Sequence, residues 1–154
     1  HVAGIGSSLV MENASFVGNV AEVSGGAINA LDGAFVKIGP GTSSMKSNTA
    51  TSDSGGGVAV QGGTTSLVGD GPTSRLLFTN NQAKAKNGGA CLVKDGAVFY
   101  LSRGATVVAK ENVAQLRGGG VSVEGTGSSL VVHGIGSKLR LESNAAMTEY
   151  AGGL

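Results

Sequence analysis

The stretch FTNNQAKAKNGGACLV, residues 78–93, contains both motifs that repeat along this chain. The first motif is an apolar residue followed three positions later by asparagine, here Phe78 and Asn81. The second is a glycine pair, Gly88 and Gly89, after which apolar residues occupy every second position. Alternation with a period of two is typical of a half-buried β-strand. The segment therefore predicts a tight corner that leads directly into a strand.

The asparagine motif occurs five times at nearly constant spacing. The asparagines are Asn19, Asn48, Asn81, Asn112 and Asn144, separated by 29, 33, 31 and 32 residues. The apolar residues three places before them are Phe16, Met45, Phe78, Ala109 and Leu141. A period of this length is typical of solenoids, in which each unit stacks on the next.

The glycine pair recurs in the same order between the asparagines. The pairs are Gly25 and Gly26, Gly55 and Gly56, Gly88 and Gly89, Gly118 and Gly119, and Gly152 and Gly153. Their first glycines are 30, 33, 30 and 34 residues apart. Glycine is expected at a corner where the backbone needs a positive φ or where any Cβ would clash.

Each unit contains three short stretches with strand periodicity, separated by turns of Gly, Asp, Ser and Thr. Parallel pairing of every strand with its copy one turn later predicts an all-β fold. It is a right-handed parallel β-helix of about five coils, each of roughly 31 residues with three short strands. We expect residues 1–154 to form a single repeat array within a longer solenoid.

Stacking of the units places equivalent residues in columns along the axis. The predicted core column consists of Ile28, Val58, Cys91 and Val121. Cys91 is interpreted here as a small buried hydrophobe. The asparagine side chains are expected to turn inward at a strand end, where their amides bond to one another and to the turn backbone in a ladder.

The two motifs resemble the FxxN and GGA[I/L/V] repeats of polymorphic outer-membrane proteins of the chlamydial type. The closest correspondences are residues 16–19 with 25–28, and residues 78–81 with 88–91. The resemblance covers essentially the whole chain. It implies a β-helix of pectin-lyase-like architecture that is exposed at a cell surface or outside the cell and used for adhesion or surface structure.

Composition and charge exclude several classes of function. The 28 glycines among 154 residues are more than twice the ordinary usage of about 7%, without the strict period of collagen. The 11 basic and 10 acidic residues are scattered singly and leave a formal charge of +1. This pattern predicts no nucleic-acid partner, and no apolar run approaches the roughly 20 residues of a membrane span.

The sequence offers few candidates for catalysis or metal binding. Asp32 and Asp95 share a turn position two coils apart, about 10 Å, which is too far for a retaining carboxylate pair and marginal for an inverting one. Each precedes a glycine and is explained as a turn residue. His133 has no nucleophile partner suggested by the sequence. We therefore predict no catalytic residue, no metal ligand and no cofactor.

The leading hypothesis is a non-enzymatic structural or adhesive segment of a larger extracellular or cell-surface protein. Its expected partners are flanking coils of the same chain or stacked protein subunits, together with glycans or proteins of a host or matrix surface. One alternative is a polysaccharide-active enzyme of pectin-lyase-like fold whose site is built partly outside this segment. Another alternative is a subunit of an extracellular filament.

Overall fold

The computed structural model describes residues 1–148 and 152–153. Over these residues the chain forms twenty strands and no helix. The strands belong to four sheets of five strands each, and all of the pairings are parallel. Each strand pairs only with its equivalents in the adjacent coils. The predicted parallel β-solenoid of about five coils is therefore confirmed.

The four sheets are named A to D in the order in which the chain first enters them. Sheet A contains β1 Val2–Ala3, β5 Ile28–Leu31, β9 Val58–Gln61, β13 Cys91–Lys94 and β17 Val121–Glu124. Sheet B contains β2 Ser8–Met11, β6 Phe35–Ile38, β10 Ser66–Asp70, β14 Val98–Ser102 and β18 Ser129–Val132. Sheet C contains β3 Ser15–Val17, β7 Gly41–Lys46, β11 Ser74–Thr79, β15 Thr106–Lys110 and β19 Lys138–Glu142. Sheet D contains β4 Val20–Ala21, β8 Thr49–Ala50, β12 Gln82–Ala83, β16 Val113–Ala114 and β20 Ala145–Ala146.

Sheets A, B and C correspond to the three strands that the sequence predicts for each coil. Sheet D adds a fourth strand of only two residues, directly after the asparagine. A strand of two residues is too short to show the alternation of apolar and polar residues by which strands are recognised in a sequence. The inward-facing residue of each sheet D strand is alanine, at 21, 50, 83, 114 and 146.

The interior is filled by the inward residues of sheets A, B and C. Phe78 is fully buried in sheet C, in register with Met45 on one side and Ala109 on the other. In sheet B, Ile38 and Leu101 flank Gly69, where an added Cβ would lie 2.9 Å from Leu101 Cδ2. Large side chains thus occupy the space that small neighbours leave, as close packing requires.

Truncation of the interior phenylalanine is expected to destabilise the solenoid strongly. Phe78→Ala removes a fully buried ring from the centre of the core. We expect the free energy of unfolding to fall by about 3–5 kcal/mol in urea titrations. Phe35→Ala is the control, because that ring is 40% exposed on the outside of sheet B. Its cost is expected to stay below about 1 kcal/mol, and equal losses in the two variants would contradict this packing.

Candidate functional site: the asparagine ladder, the glycine corners and the lateral faces

The asparagine at the centre of the ladder uses its whole amide for bonds between coils. Oδ1 of Asn81 accepts hydrogen bonds from the backbone N–H and from Nδ2 of Asn48, both at 3.0 Å. Nδ2 of Asn81 donates to the Met45 carbonyl and to Oδ1 of Asn112, both at 2.9 Å. A carboxamide has two donors and two acceptor positions. This buried side chain therefore has no unsatisfied hydrogen-bonding group.

The same bonds recur from coil to coil. Nδ2 of Asn19 donates to Asn48 Oδ1 at 2.8 Å, and Nδ2 of Asn112 donates to Asn144 Oδ1 at 2.9 Å. From Asn48 onward, Nδ2 also donates to the carbonyl of the motif's apolar residue one coil earlier, as from Asn48 to Phe16 at 3.0 Å. The three central asparagines are fully buried, while Asn144 is half-buried and Asn19 is exposed.

The residue before each ladder asparagine has a left-handed backbone, a feature that sequence reasoning missed. These residues are Gly18 (φ 67°), Ser47 (56°), Asn80 (55°), Glu111 (57°) and Ser143 (51°). The kink interrupts the strand alternation, so that the asparagine turns inward although it lies three residues after an inward apolar side chain. Only glycine and asparagine among these residue types signal a positive φ. The pattern was therefore not visible in the sequence.

The first glycine of each pair requires its residue type for two reasons. Gly25, Gly55, Gly88 and Gly118 have φ values of 65°, 69°, 66° and 55°. An added Cβ would also lie within 2.1–2.4 Å of the carbonyl oxygen three residues later in all four. Both the backbone conformation and the available space therefore exclude a side chain.

The second glycine lies where two coils approach each other most closely. A Cβ on Gly89 would lie 2.2 Å from the Gly119 carbonyl oxygen and 2.6 Å from backbone atoms of Val113. Equivalent clashes with the next coil surround Gly26, Gly56 and Gly119. The obstruction is backbone, which cannot move aside as a flexible side chain can.

The last glycine pair is displaced by one position. The Cys91 N–H donates to the Gly120 carbonyl, and one coil later the Val121 N–H donates to the Gly153 carbonyl, both at 3.0 Å. Gly153 is therefore equivalent to Gly120, and Gly152 to Gly119. The pair fills the second and third positions of the corner, and its first position lies outside the described residues. The interval of 34 residues, longer than the other three, reflects this displacement.

The residues of the sheet A column stack in register. Cys91 pairs with Val58 on one side and Val121 on the other, and Val58 pairs with Ile28. All four side chains are at most 2% exposed. Burial raises the pKa of the Cys91 thiol to about 12, which keeps it protonated at neutral pH.

Asp32, Asp70 and Asp95 each have a structural role. Asp32 and Asp95 occupy one turn column with Gly62 between them, and both adopt a φ of 55° directly before a glycine. Asp70 instead accepts hydrogen bonds from Arg103 Nε at 2.7 Å and from Ser102 Oγ at 2.5 Å. These bonds hold the pKa of the Asp70 carboxyl well below its usual range. Such an acid remains an anion and does not serve as a general acid.

Within residues 1–148 and 152–153, no three His, Cys, Asp or Glu side chains are grouped as metal ligands. His133 is exposed and uses its backbone carbonyl to accept a hydrogen bond from Ser137 Oγ at 2.6 Å. None of these residues forms a helix with the length and hydropathy that a membrane crossing requires.

Cations that are scattered along the sequence come together on the outside of sheet C. The residues of this basic face are Lys46, Arg75, Lys110, Lys138 and Arg140, and all are exposed. Two glutamates neutralise part of the face, through a 3.3 Å ion pair of Lys110 with Glu111 and a 2.9 Å pair of Arg140 with Glu142. Basic residues that are spread along the sequence are thus grouped on one surface, because each coil returns the chain to the same face.

The family model of the Chlamydia polymorphic membrane protein repeat matches residues 75–94. This segment runs from β11 through Asn81 and the glycine corner into β13. The match and the stacked coils both fit a repeat β-helix of the polymorphic membrane protein type, so the predicted resemblance is confirmed. No curated protein and no solved structure matches the chain.

Replacement of a ladder asparagine is expected to destabilise the coils on both sides. Asn81→Leu leaves the backbone N–H of Asn48 without its acceptor and removes one hydrogen bond each from Asn48 Nδ2 and Asn112 Oδ1. We expect the free energy of unfolding to fall by about 1–3 kcal/mol in denaturant titrations. Asn80→Ser is the control, because serine occupies the same left-handed position at Ser47, and it should change stability by less than about 0.5 kcal/mol. Unchanged unfolding of the leucine variant would contradict a stabilising role of the ladder.

A side chain at the second glycine is expected to cost at least as much. Gly89→Val places a Cβ against the backbone of Gly119 and Val113. Loss of more than about 3 kcal/mol, or failure to form the solenoid, is expected by circular dichroism and thermal unfolding. Gly63→Ala is the matched control, since nothing lies within 4 Å of its added Cβ. A tolerated Gly89 variant would mean that the corner can relax.

Proposed function

We propose that this chain is a non-enzymatic structural and adhesive β-helical segment of a larger protein located at the cell surface or outside the cell. The proposal proceeds from the repeat of the polymorphic membrane protein type, a family of repeats described from membrane proteins of Chlamydia. Within the residues that the structure describes, the outermost strand of each sheet pairs on one side only, so we further propose that these strands stack on flanking coils of the same chain or on another subunit.

The observation that carries the proposal is that the residues which define the repeat contact neighbouring coils. The amide of Asn81 bonds to the coil before and the coil after, and Gly89 permits the close approach of the next coil. The repeat therefore encodes a stacked rod and leaves the outer faces free to vary. A stacked rod can extend from the cell surface and expose the outer faces of its coils to other molecules. This arrangement suits a structural or adhesive role.

Surface exposure is tested with antibodies raised against the purified chain. We expect them to label intact cells of its source, and we expect protease in the medium to remove the labelling. Antibodies against a cytoplasmic enzyme of the same cells are the control and should label only permeabilised cells. Labelling that requires permeabilisation for both antibodies would contradict the proposed location.

The enzymatic alternative places part of its site outside this segment, so it is tested with the whole protein purified from its source. Incubation with polygalacturonate is expected to release neither unsaturated products nor reducing ends above the level of a heat-denatured control. Such a reaction needs a pair of acids, or an acid with a free base, on one lateral face. Release that depends on Asp70 would replace the structural proposal by the enzymatic one.

A further inference from the structure

We propose that the basic face binds a linear acidic polysaccharide that runs along the axis of the solenoid. The choice of a polysaccharide rests on the surface location proposed above, whereas the binding itself is a property of the purified chain.

Four of the five cations form two columns that are staggered along the axis, and Arg140 lies between the columns in register with Val108. In one column the register runs Thr42, Arg75, Thr106, Lys138. In the other it runs Lys46, Thr79, Lys110, Glu142. Coils are about 4.8 Å apart, so cations in one column recur after roughly 10 Å. The columns are four residues apart along the strands, or about 13 Å. Successive coils therefore present a cation on alternate sides of the face.

Threonine separates the cations within each column. Like charges directly opposite each other destabilise a sheet, and an intervening residue relieves this repulsion. An acidic residue would relieve it more completely, yet Thr79 separates Lys46 from Lys110, and Thr106 separates Arg75 from Lys138. The neutral separator preserves the positive charge of the face, and its hydroxyl can donate and accept hydrogen bonds with a sugar.

The charge of the molecule is unevenly distributed. The five cations of the basic face and its two glutamates give a net charge of +3, while the whole chain carries +1, so the remaining residues sum to −2. Lys46, Arg75 and Lys138 make no side-chain hydrogen bond or ion pair with any residue that the structure describes. A face of one sign attracts a polymer of the opposite sign and orients it.

The other residues of the face favour a polysaccharide over other polyanions. The outward side chains of sheet C include no aromatic ring on which a nucleic-acid base would stack. Its central apolar residues, Leu77 and Val108, are half-buried between the two columns, and Val17, which is 61% exposed beside Lys46, is a single short side chain rather than the broad apolar face of a membrane anchor. The two-coil charge period of about 10 Å is about the length of two sugars in an extended chain, so a polymer with acid groups on every sugar or on every second sugar can match it.

Binding is measured by titration calorimetry of the whole chain with two probes, heparin for sulfate groups and polygalacturonate for carboxylates. The buffer contains about 50 mM NaCl, where screening is moderate. The test variant is Arg75→Thr with Lys110→Thr, in which each cation is replaced by the residue already present in its column. We expect its affinity for the better probe to be at least about tenfold lower than that of the unaltered chain, with a smaller salt dependence.

The matched control is Lys84→Thr with Lys94→Thr, which removes the same charge outside sheet C. Its affinity should remain within about twofold of the unaltered chain. Circular dichroism and thermal unfolding establish that both variants fold.

Three results would overturn the inference: no binding of either probe, equal losses in the two variants, or equal affinity for a single-stranded oligonucleotide or for phosphatidylserine vesicles. None of these results bears on the surface labelling, so failure of this inference is distinguishable from failure of the proposed function.

Discussion

Stacked coils are separated by about 4.8 Å, and this spacing lets one asparagine amide reach the next. Every other feature of the solenoid depends on keeping that alignment. A shift of one residue in a strand would turn its core side chains outward. It would also move the second glycine away from the place where it meets the backbone of the next coil. The chain absorbs differences in coil length in its turns. The first glycine follows Asn19 by six residues and Asn48 by seven. In both corners its N–H nevertheless donates to the carbonyl of the residue just before the glycine pair of the next coil.

The core tolerates different side chains because volume is shared between neighbouring coils. The column that contains Phe78 has methionine one coil before and alanine one coil after. In the adjacent sheet, Gly69 lies between Ile38 and Leu101, whose side chains extend over it. The phenylalanine of the family motif is therefore not needed in every coil, provided that the column as a whole is filled. The ladder does not tolerate such substitutions, because each amide must supply donors and acceptors at fixed positions.

The sequence was sufficient to predict the coils, because two motifs keep one period and parallel stacking follows from it. The positions of Asn81 and Gly89 in the corner were predictable for the same reason, since few other residue types suit those places. Three features were not predictable. The strands of sheet D are too short to show a period, and the left-handed residues before the asparagines are chemically diverse. The basic face is assembled from residues about thirty positions apart, so only the spatial register reveals it.

The amides of the ladder all point the same way along the axis, with each Nδ2 donating to the Oδ1 of the following coil. Their dipoles therefore add instead of cancelling, as the dipoles of a helix do. The ladder therefore has a direction along the solenoid axis: at every boundary between coils, one coil supplies the amide donor and the next supplies the acceptor. Whole coils can be duplicated or deleted within the array without creating a new kind of interface, whereas an inverted coil would oppose donor to donor. In-frame duplication keeps the direction of the chain, so a new coil presents its donor and acceptor sides in the same order as its neighbours.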